Sequence, residues 1–237
     1  MLVATILAAA IVASLTVDLG PAARRAAETQ GSKYIERPMR IGRLSIHILT
    51  GKYVIEDMII DGLHPGDRPF FTAKRISIAM DWANTMRRRP EFLITSVELT
   101  DWQMLVEKWE NGHNMPRFTR DDQPQGPKRF TTTLQYLRAS RGQFTYEDHQ
   151  TPWSIVCPNL DFTLGNLPNY HGQAVFHGGT VQIQKYKPMW ANFRARFVLD
   201  GPHVELDRIE IDTDGAKTVA RGSVELGKRW PEQSYNF

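Results

Sequence analysis

From Arg40 onward the chain repeatedly alternates apolar with polar side chains, a period of two that only an extended strand turns into one dry face and one wet face. The clearest stretch lies near the end. Ala191, Phe193, Ala195, Phe197 and Leu199 alternate with Asn192, Arg194 and Arg196, and Asp200-Gly201-Pro202 follows as a turn. Val204 and Leu206 then share a face, as do Ile209 and Ile211, with a slip of one residue at Asp207-Arg208 that predicts a bulge. Asp214-Gly215 supplies a second turn, after which Ala220, Gly222, Val224 and Leu226 resume the alternation. The pattern predicts a three-stranded antiparallel meander.

The same signature occurs earlier. Leu44, Ile46 and Ile48 lead through Thr50-Gly51 into a strand from Tyr53 to Ile60, and Asp61-Gly62 with Pro65-Gly66-Asp67 forms the next loop. Ile76, Ile78, Met80 and Trp82 share one face. Phe92, Ile94, Val97 and Leu99 follow, and Trp102, Met104 and Val106 continue in shifted phase as far as Asn111-Gly112. The segment 120–129, rich in Gln, Pro, Gly and Asp, reads as a linker. Beyond it, Thr131 to Ala139 and Gln143 to Glu147 flank Arg141-Gly142 as a predicted hairpin, and strands around Phe162, Phe176 and Val181 complete the series.

No helical pattern between these strands is long enough to make a second layer. A sheet with one apolar face must fold on another sheet, close as a barrel, or curl around an apolar ligand. At about 25 cal/mol per Å² of apolar surface, so many half-apolar strands do not leave that face in water. A protein core and a lipid-filled groove both satisfy this demand, and the sequence alone does not separate them. Hydrophobic residues make up 41% and charged residues 23%, the balance of a folded chain. The net charge of +3 is too weak to imply nucleic acid, and no nucleic-acid motif accompanies it.

The first seventeen residues, Met1 to Val17, carry no charged side chain and set Ile6, Leu7, Ile11, Val12 and Leu15 among alanines. Three readings fit: a membrane anchor over 1–20, a cleaved signal peptide, or a buried helix. The anchor is favoured over a cleaved signal because no clean small-x-small cleavage site sits before Asp18. Arg24-Arg25 follow the run and no basic side chain precedes it, which by charge alone would hold the arginines in the cytoplasm. Residues 21–39 are polar, alanine-rich and predicted to be a short helix or linker.

Set in this order, Ile41-Gly42-Arg43-Leu44-Ser45-Ile46, Ile55-Glu56-Asp57-Met58-Ile59-Ile60-Asp61-Gly62-Leu63, Phe70-Phe71-Thr72-Ala73-Lys74-Arg75-Ile76, Val97-Glu98-Leu99-Thr100-Asp101-Trp102 and Lys108-Trp109-Glu110-Asn111-Gly112-His113-Asn114 resemble the N-terminal part of the AsmA-like family, which includes TamB-type proteins. The resemblance covers roughly residues 1–120 and rests on pattern, not on a catalytic signature. It implies an all-β protein with an N-terminal transmembrane helix, anchored by a single pass in the inner membrane with its bulk in the periplasm. The implied architecture is a long antiparallel meander curled into a U-shaped groove, in sections 40–119 and 130–237. Trp230 to Phe237 stands where another strand is expected, so the groove is expected to continue beyond the chain end or into a partner. The implied partner is phospholipid, and the implied role is lipid transport to, or integrity of, the outer membrane. The alternative is a non-catalytic scaffold for outer-membrane proteins, with a barrel protein as partner.

The residues expected to line such a groove are Ile76, Ile78, Met80, Trp82, Val97, Leu99, Trp102, Met104, Phe193, Phe197, Leu199, Val204, Leu206, Ile209 and Ile211. A charged residue at Ile78 or Phe197 is expected to abolish lipid co-purification while sparing the fold. Arg87, Arg88 and Arg89 form a basic run that suits anionic headgroups or a solvated loop. No enzyme, cofactor or metal is expected. The seven histidines show no ligand spacing, no Gly-x-Ser-x-Gly elbow occurs, and Cys157 sits in a strand-like apolar setting.

Overall fold

The computed structural model describes residues 20–47, 50–81, 91–116, 131–166, 169–200, 203–225 and 234–236. The predicted anchor, Trp82, Arg87, Arg88, Arg89, the predicted linker and Gly201-Pro202 fall outside these residues or, for the anchor, all but Gly20 does. Among the described residues no helix is long and apolar enough to cross a membrane.

The structure is mostly β, and its strands form one open sheet in which most, but not all, sequence neighbours pair. The chain divides into two compact units, Met1–Leu99 with Pro116–Leu134, and Thr100–Met115 with Gln135–Phe237. In sequence the division falls inside one 19-residue strand, β4 (Glu91–Trp109).

The first unit holds helix α1 (Gly20–Ile35) and strands β1 (Met39–His47), β2 (Lys52–Ile60) and β3 (Phe71–Met80), followed by the first part of β4. Strands β1, β2 and β3 pair antiparallel, joined by turns where the sequence places Gly51 and the loop from Asp61 to Asp67. Gly51 has φ 64, the left-handed conformation that a side chain disfavours. One strand departs from the expected antiparallel meander. A short segment, β6 (Thr131–Leu134), pairs in parallel with β4 from Glu91↔Thr131 to Ile94↔Leu134.

Helix α1 lies along the free edge of β1. Arg24, Glu28 and Ser32, spaced four apart on one helix face, each meet an edge group. Glu28 Oε1 accepts the Ile41 N–H at 2.8 Å, Ser32 Oγ accepts the Met39 N–H at 2.8 Å, and an Arg24 guanidinium N–H donates to the Gly42 carbonyl at 2.9 Å. Glu36 ends the helix at φ 53, with Arg37 N–H closing onto the Ser32 carbonyl at 3.0 Å. Pro38 has no N–H with which to extend the helix.

The second unit contains the rest of β4, the two-residue β5 (Gly112–His113), and β7 (Tyr136–Asp148), β8 (Trp153–Asn166), β9 (Tyr170–Ile183), β10 (Met189–Asp200), β11 (His203–Thr213), β12 (Ala216–Glu225) and β13 (Ser234–Asn236). Each strand from β7 to β13 pairs antiparallel with the next. The predicted hairpin at Arg141-Gly142 is not a turn. Strand β7 runs straight through both residues, and Arg141, at φ 52, is an extra residue that shifts the register to β8. A positive φ and a glycine signal a bulge as readily as a turn, which is why the sequence pattern misleads there.

The strands share one irregularity. Near the middle of most of them the apolar spacing stretches from two to three, at Ile41/Leu44, Ala73/Ile76, Leu99/Trp102, Ala139/Gly142, Cys157/Leu160, Phe176/Gly179 and Leu206/Ile209. Positive φ at Asp57, Asp101, Arg141, Asn159 and Gly178 marks the same places. Register shifts confirm the bulge predicted at Asp207-Arg208, with Arg196↔Arg208 and Phe197↔Leu206 as consecutive pairs.

The helix-to-edge bonds carry a direct expectation. Removing the Glu28 carboxylate leaves the Ile41 N–H without its acceptor, at a cost of about 1–3 kcal/mol. Glu28→Ala is therefore expected to lower the first unit's stability by that amount and to speed amide exchange at Ile41. Lys33→Ala, on the exposed side of α1, is expected to stay within about 0.5 kcal/mol of the parent.

Candidate functional site

Cross-strand partners point to the same side of a sheet, so the registers show which side chains make each face. In the first unit one face is built from the rows Met39–Ile60–Phe71, Ile41–Met58–Ala73, Leu44–Ile55–Ile76 and Ile46–Tyr53–Ile78. Between the second and third rows every strand carries two polar or small residues, and the register does not shift. Arg43, Glu56 and Arg75 come to the other face there, and Arg75 bonds Glu56 at 3.1 Å.

The second unit repeats this on a longer scale. Leu137–Leu164–Gly172–Phe197–Leu206–Gly222 runs unbroken from β7 to β12, and the next row is Ala139–Phe162–Ala174–Ala195–Ile209–Ala220. Neither row contains a charged side chain. The rings interlock: Phe162 stacks on Phe197 at 5.5 Å between centroids, and Phe176 on Phe193 at 5.2 Å. Two glycines make room for neighbours. A Cβ on Gly172 would lie 2.1 Å from the Phe197 ring, and one on Gly142 would lie 2.1 Å from the Trp102 ring. The Trp102 indole N–H is buried without an acceptor among the described residues.

The opposite face is polar. Its rows include Arg138–Thr163–Gln173–Arg196 and Asp161–Val175–Arg194–Glu210–Val219. The residues that bulge meet here: Arg141 Nε donates to Asp101 Oδ1 at 2.7 Å, a second guanidinium N–H reaches Oδ2 at 3.0 Å, and Arg141 N–H donates to Asp161 Oδ1 at 3.1 Å.

Of the residues expected to line a groove, Ile76, Trp102, Phe197 and Ile209 are buried. Ile78, Met80, Val97, Leu99, Met104, Phe193, Leu199, Val204, Leu206 and Ile211 are half-buried, and none of the described members is exposed. The cross-strand rows place Ile76 with Ile78 on one face in the first unit, and Phe193, Phe197, Leu206, Ile209 and Ile211 on one face in the second. Burial changes one expectation. Phe197 is packed against Gly172 and Phe162, so a charge there attacks the fold itself. The half-buried Ile78 and Leu206 are the better probes of a ligand. Cross-strand partners such as Leu44, Tyr53, Leu164 and Phe162 belong to the same faces, and only the register shows it.

A compact polar cluster that sequence spacing did not suggest joins β4, β5 and the β7–β8 hairpin. Asn114, 1% exposed, accepts the Glu107 N–H at 2.8 Å and donates from its amide to the Leu105 carbonyl at 2.9 Å and Glu107 Oε2 at 3.4 Å. His149 Nε2 lies 3.3 Å from Glu107 Oε1 and 3.8 Å from Glu147 Oε2, and its ring stacks on Trp109. Glu107, Glu147 and His149 bring three ligand atoms within 4.8 Å of one another, a spacing a divalent cation tolerates. The same distances suit an ion-paired histidine held between strands, and the surrounding bonds are those of a fastening for the hairpin. Lys108 Nζ reaches Asp148 Oδ2 at 3.1 Å, while Asp148 Oδ1 accepts the Gln150 and Thr151 N–H groups. The Thr151 N–H, first among these, holds the Asp148 carboxyl below the usual carboxylate range.

Cys157 is buried on the apolar face, and burial pushes its thiol up to about 12. An open hollow of about 390 Å³ between β9 and β12 mixes Phe193 and Ile211 with Arg194, Arg208, Glu210 and Lys217.

No family model matches this sequence, and no curated protein matches it.

Two outcomes follow from the geometry. Gly172→Val forces its new side chain into the Phe197 ring and is expected to cost about 1–3 kcal/mol, with much of the loss recovered when Phe197→Ala is added. Double-mutant denaturation curves check this. The Cys157 thiol is expected to resist disulfide reagents at neutral pH until the chain unfolds. Its folded pKa stands above the ordinary 9.0, so its contribution to stability is complete below pH 9 and is lost as pH rises towards about 12. Thiol titration against pH, with and without denaturant, measures both.

Proposed function

We propose that this chain binds phospholipid acyl chains along the apolar faces of its sheet, as an inner-membrane-anchored periplasmic β-groove protein that helps carry lipid to, or maintain, the outer membrane. The observation that supports this reading is the charge-free pair of rows from β7 to β12, in which Leu137, Phe162, Leu164 and Leu206 are only half-buried. A core filled by protein would bury those side chains as deeply as Phe197 and Ile209. An acyl chain needs what the rows supply: a long strip of methyl and ring surface with no fixed polar group. The role is non-catalytic in this proposal, and the resemblance to AsmA-like proteins supplies the membrane and the compartment.

A photoactivatable phospholipid tests it on the purified full chain. Crosslinks are expected on β3, β10 and β11. Ile78→Asp and Leu206→Asp, at half-buried positions in each unit, are each expected to reduce crosslinking in their own unit about tenfold, because a carboxylate beside an acyl chain costs more than 1.4 kcal/mol. The far-ultraviolet spectrum is expected to be unchanged. Crosslinks confined to the polar face, or undiminished in both folded variants, reject the proposal.

A further inference from the structure

We infer that the tip of the β9–β10 hairpin is a docking element for an anionic lipid surface. Four large apolar side chains stand out of the protein within one short stretch: Ile183 at 43% exposure, Tyr186 at 71%, Met189 at 46% and Trp190 at 40%. Among the described residues the other exposed large apolar side chains, Tyr34, Leu63, Tyr136 and Val219, are scattered singly and call for no explanation. Lys185 and Lys187 flank Tyr186, both exposed, and no acidic residue lies between Ile183 and Trp190.

The tip is held in shape. Tyr186 N–H bonds the Ile183 carbonyl at 3.0 Å, Gln184 takes φ 50, and Gln184 N–H bonds the Pro152 carbonyl of the β7–β8 hairpin. Asp148 on that neighbouring hairpin is engaged by Lys108 and by two backbone N–H groups, so it is already satisfied without the lysine pair. A protein partner would favour the aromatics but not the lysines, which protein interfaces deplete. A bilayer surface favours both. Tyr and Trp rings settle at the level of the headgroups, and each lysine near an anionic surface strengthens attachment roughly fivefold. The chemistry called for is therefore a phosphate-bearing, negatively charged interface beneath which short apolar side chains find hydrocarbon. This inference stands apart from acyl-chain binding on the sheet, and either can fail without the other.

The full chain provides its own labelling background, since Cys157 is buried with its thiol pushed up to about 12. A cysteine introduced by Tyr186→Cys takes an environment-sensitive fluorophore, and Val219→Cys, exposed on β12, serves as the reference. The labelled chains are reconstituted into phosphatidylcholine vesicles with and without phosphatidylglycerol. With the anionic lipid, the probe at position 186 is expected to shift to the blue and to be quenched by headgroup-level spin-labelled lipid several-fold more than the probe at 219. Lys185→Gln with Lys187→Gln is expected to remove most of that difference. Equal quenching at both positions, or a response that does not depend on phosphatidylglycerol, overturns the inference. A blue shift that grows with protein concentration in micelles, before vesicles are present, assigns the patch to self-association and overturns it as well.

Discussion

Side chains alternate along a strand, so one extra residue turns everything beyond it to the opposite face. That constraint governs this molecule. Most of its strands gain such a residue near the middle, and in each the apolar spacing lengthens from two to three at the same place. The dry face thereby stays dry through the irregularity. In the first unit β1, β2 and β3 slip together, so their register passes through unchanged. In the second unit β7, β8, β9 and β11 slip while β10 keeps strict alternation, and the register shifts around it record the mismatch. Bulges bend a strand and increase its twist. The residues displaced outward are charged or polar, and Asp101 with Arg141 shows the result: two residues in left-handed conformation joined by a bidentate ion pair on the wet side. In solvent that pair adds little stability, but it gives the displaced side chains a satisfied place.

An open sheet also has edges, and an unpaired edge invites another strand. Helix α1 answers this on β1 with side chains rather than with a further strand. Arg24, Glu28 and Ser32 occupy the donor and acceptor positions that a neighbour would use. The helix packs few apolar groups, Ile35 being its one buried hydrophobic residue. Its attachment is chiefly polar, which explains why the sequence of this helix shows no apolar stripe.

Much of this was legible beforehand because the signal is local. The meander from Ala191 to Val224, the turns at Gly51 and Gly215, and the bulge at Asp207-Arg208 all follow from period two and from glycine placement. Trp102 falls in the shifted phase that its spacing from Leu99 predicts, although the long β4 joins both phases in one strand. Arg141-Gly142 misled because a bulge and a turn use the same residues, and only pairing with β8 distinguishes them. The fastening around Asn114, Glu107 and His149 was out of reach for another reason. Its members are 35 residues apart between Asn114 and His149 (149 − 114), and nothing local announces their meeting. The half-burial of Ile78 and Leu206 against the full burial of Ile76 and Phe197 is likewise a property of the packed sheet, invisible to alternation alone.

That distinction between buried and half-buried positions bears on how a lipid-binding face would work. A buried centre built on Ala139, Ala195, Phe197 and Ile209 holds the strands together, while the half-buried flanks retain part of the roughly 1.5–3 kcal/mol that full burial of each side chain would release. In the proposed function, an acyl chain laid along those flanks would recover that remainder. Yet the chain leaves a bilayer where it already gains about 0.8 kcal/mol per CH₂, so the transfer is close to an exchange of one hydrocarbon surface for another. A face without fixed polar groups makes the exchange nearly level, neither a trap nor a barrier. A deep, enclosed, hydrogen-bonding pocket would bind one lipid tightly and pass nothing on. Under the proposed function, rows such as Leu137–Leu164–Gly172–Phe197–Leu206–Gly222 would offer the opposite property: many near-equivalent positions, each weak, along which an apolar chain would be held without being fixed.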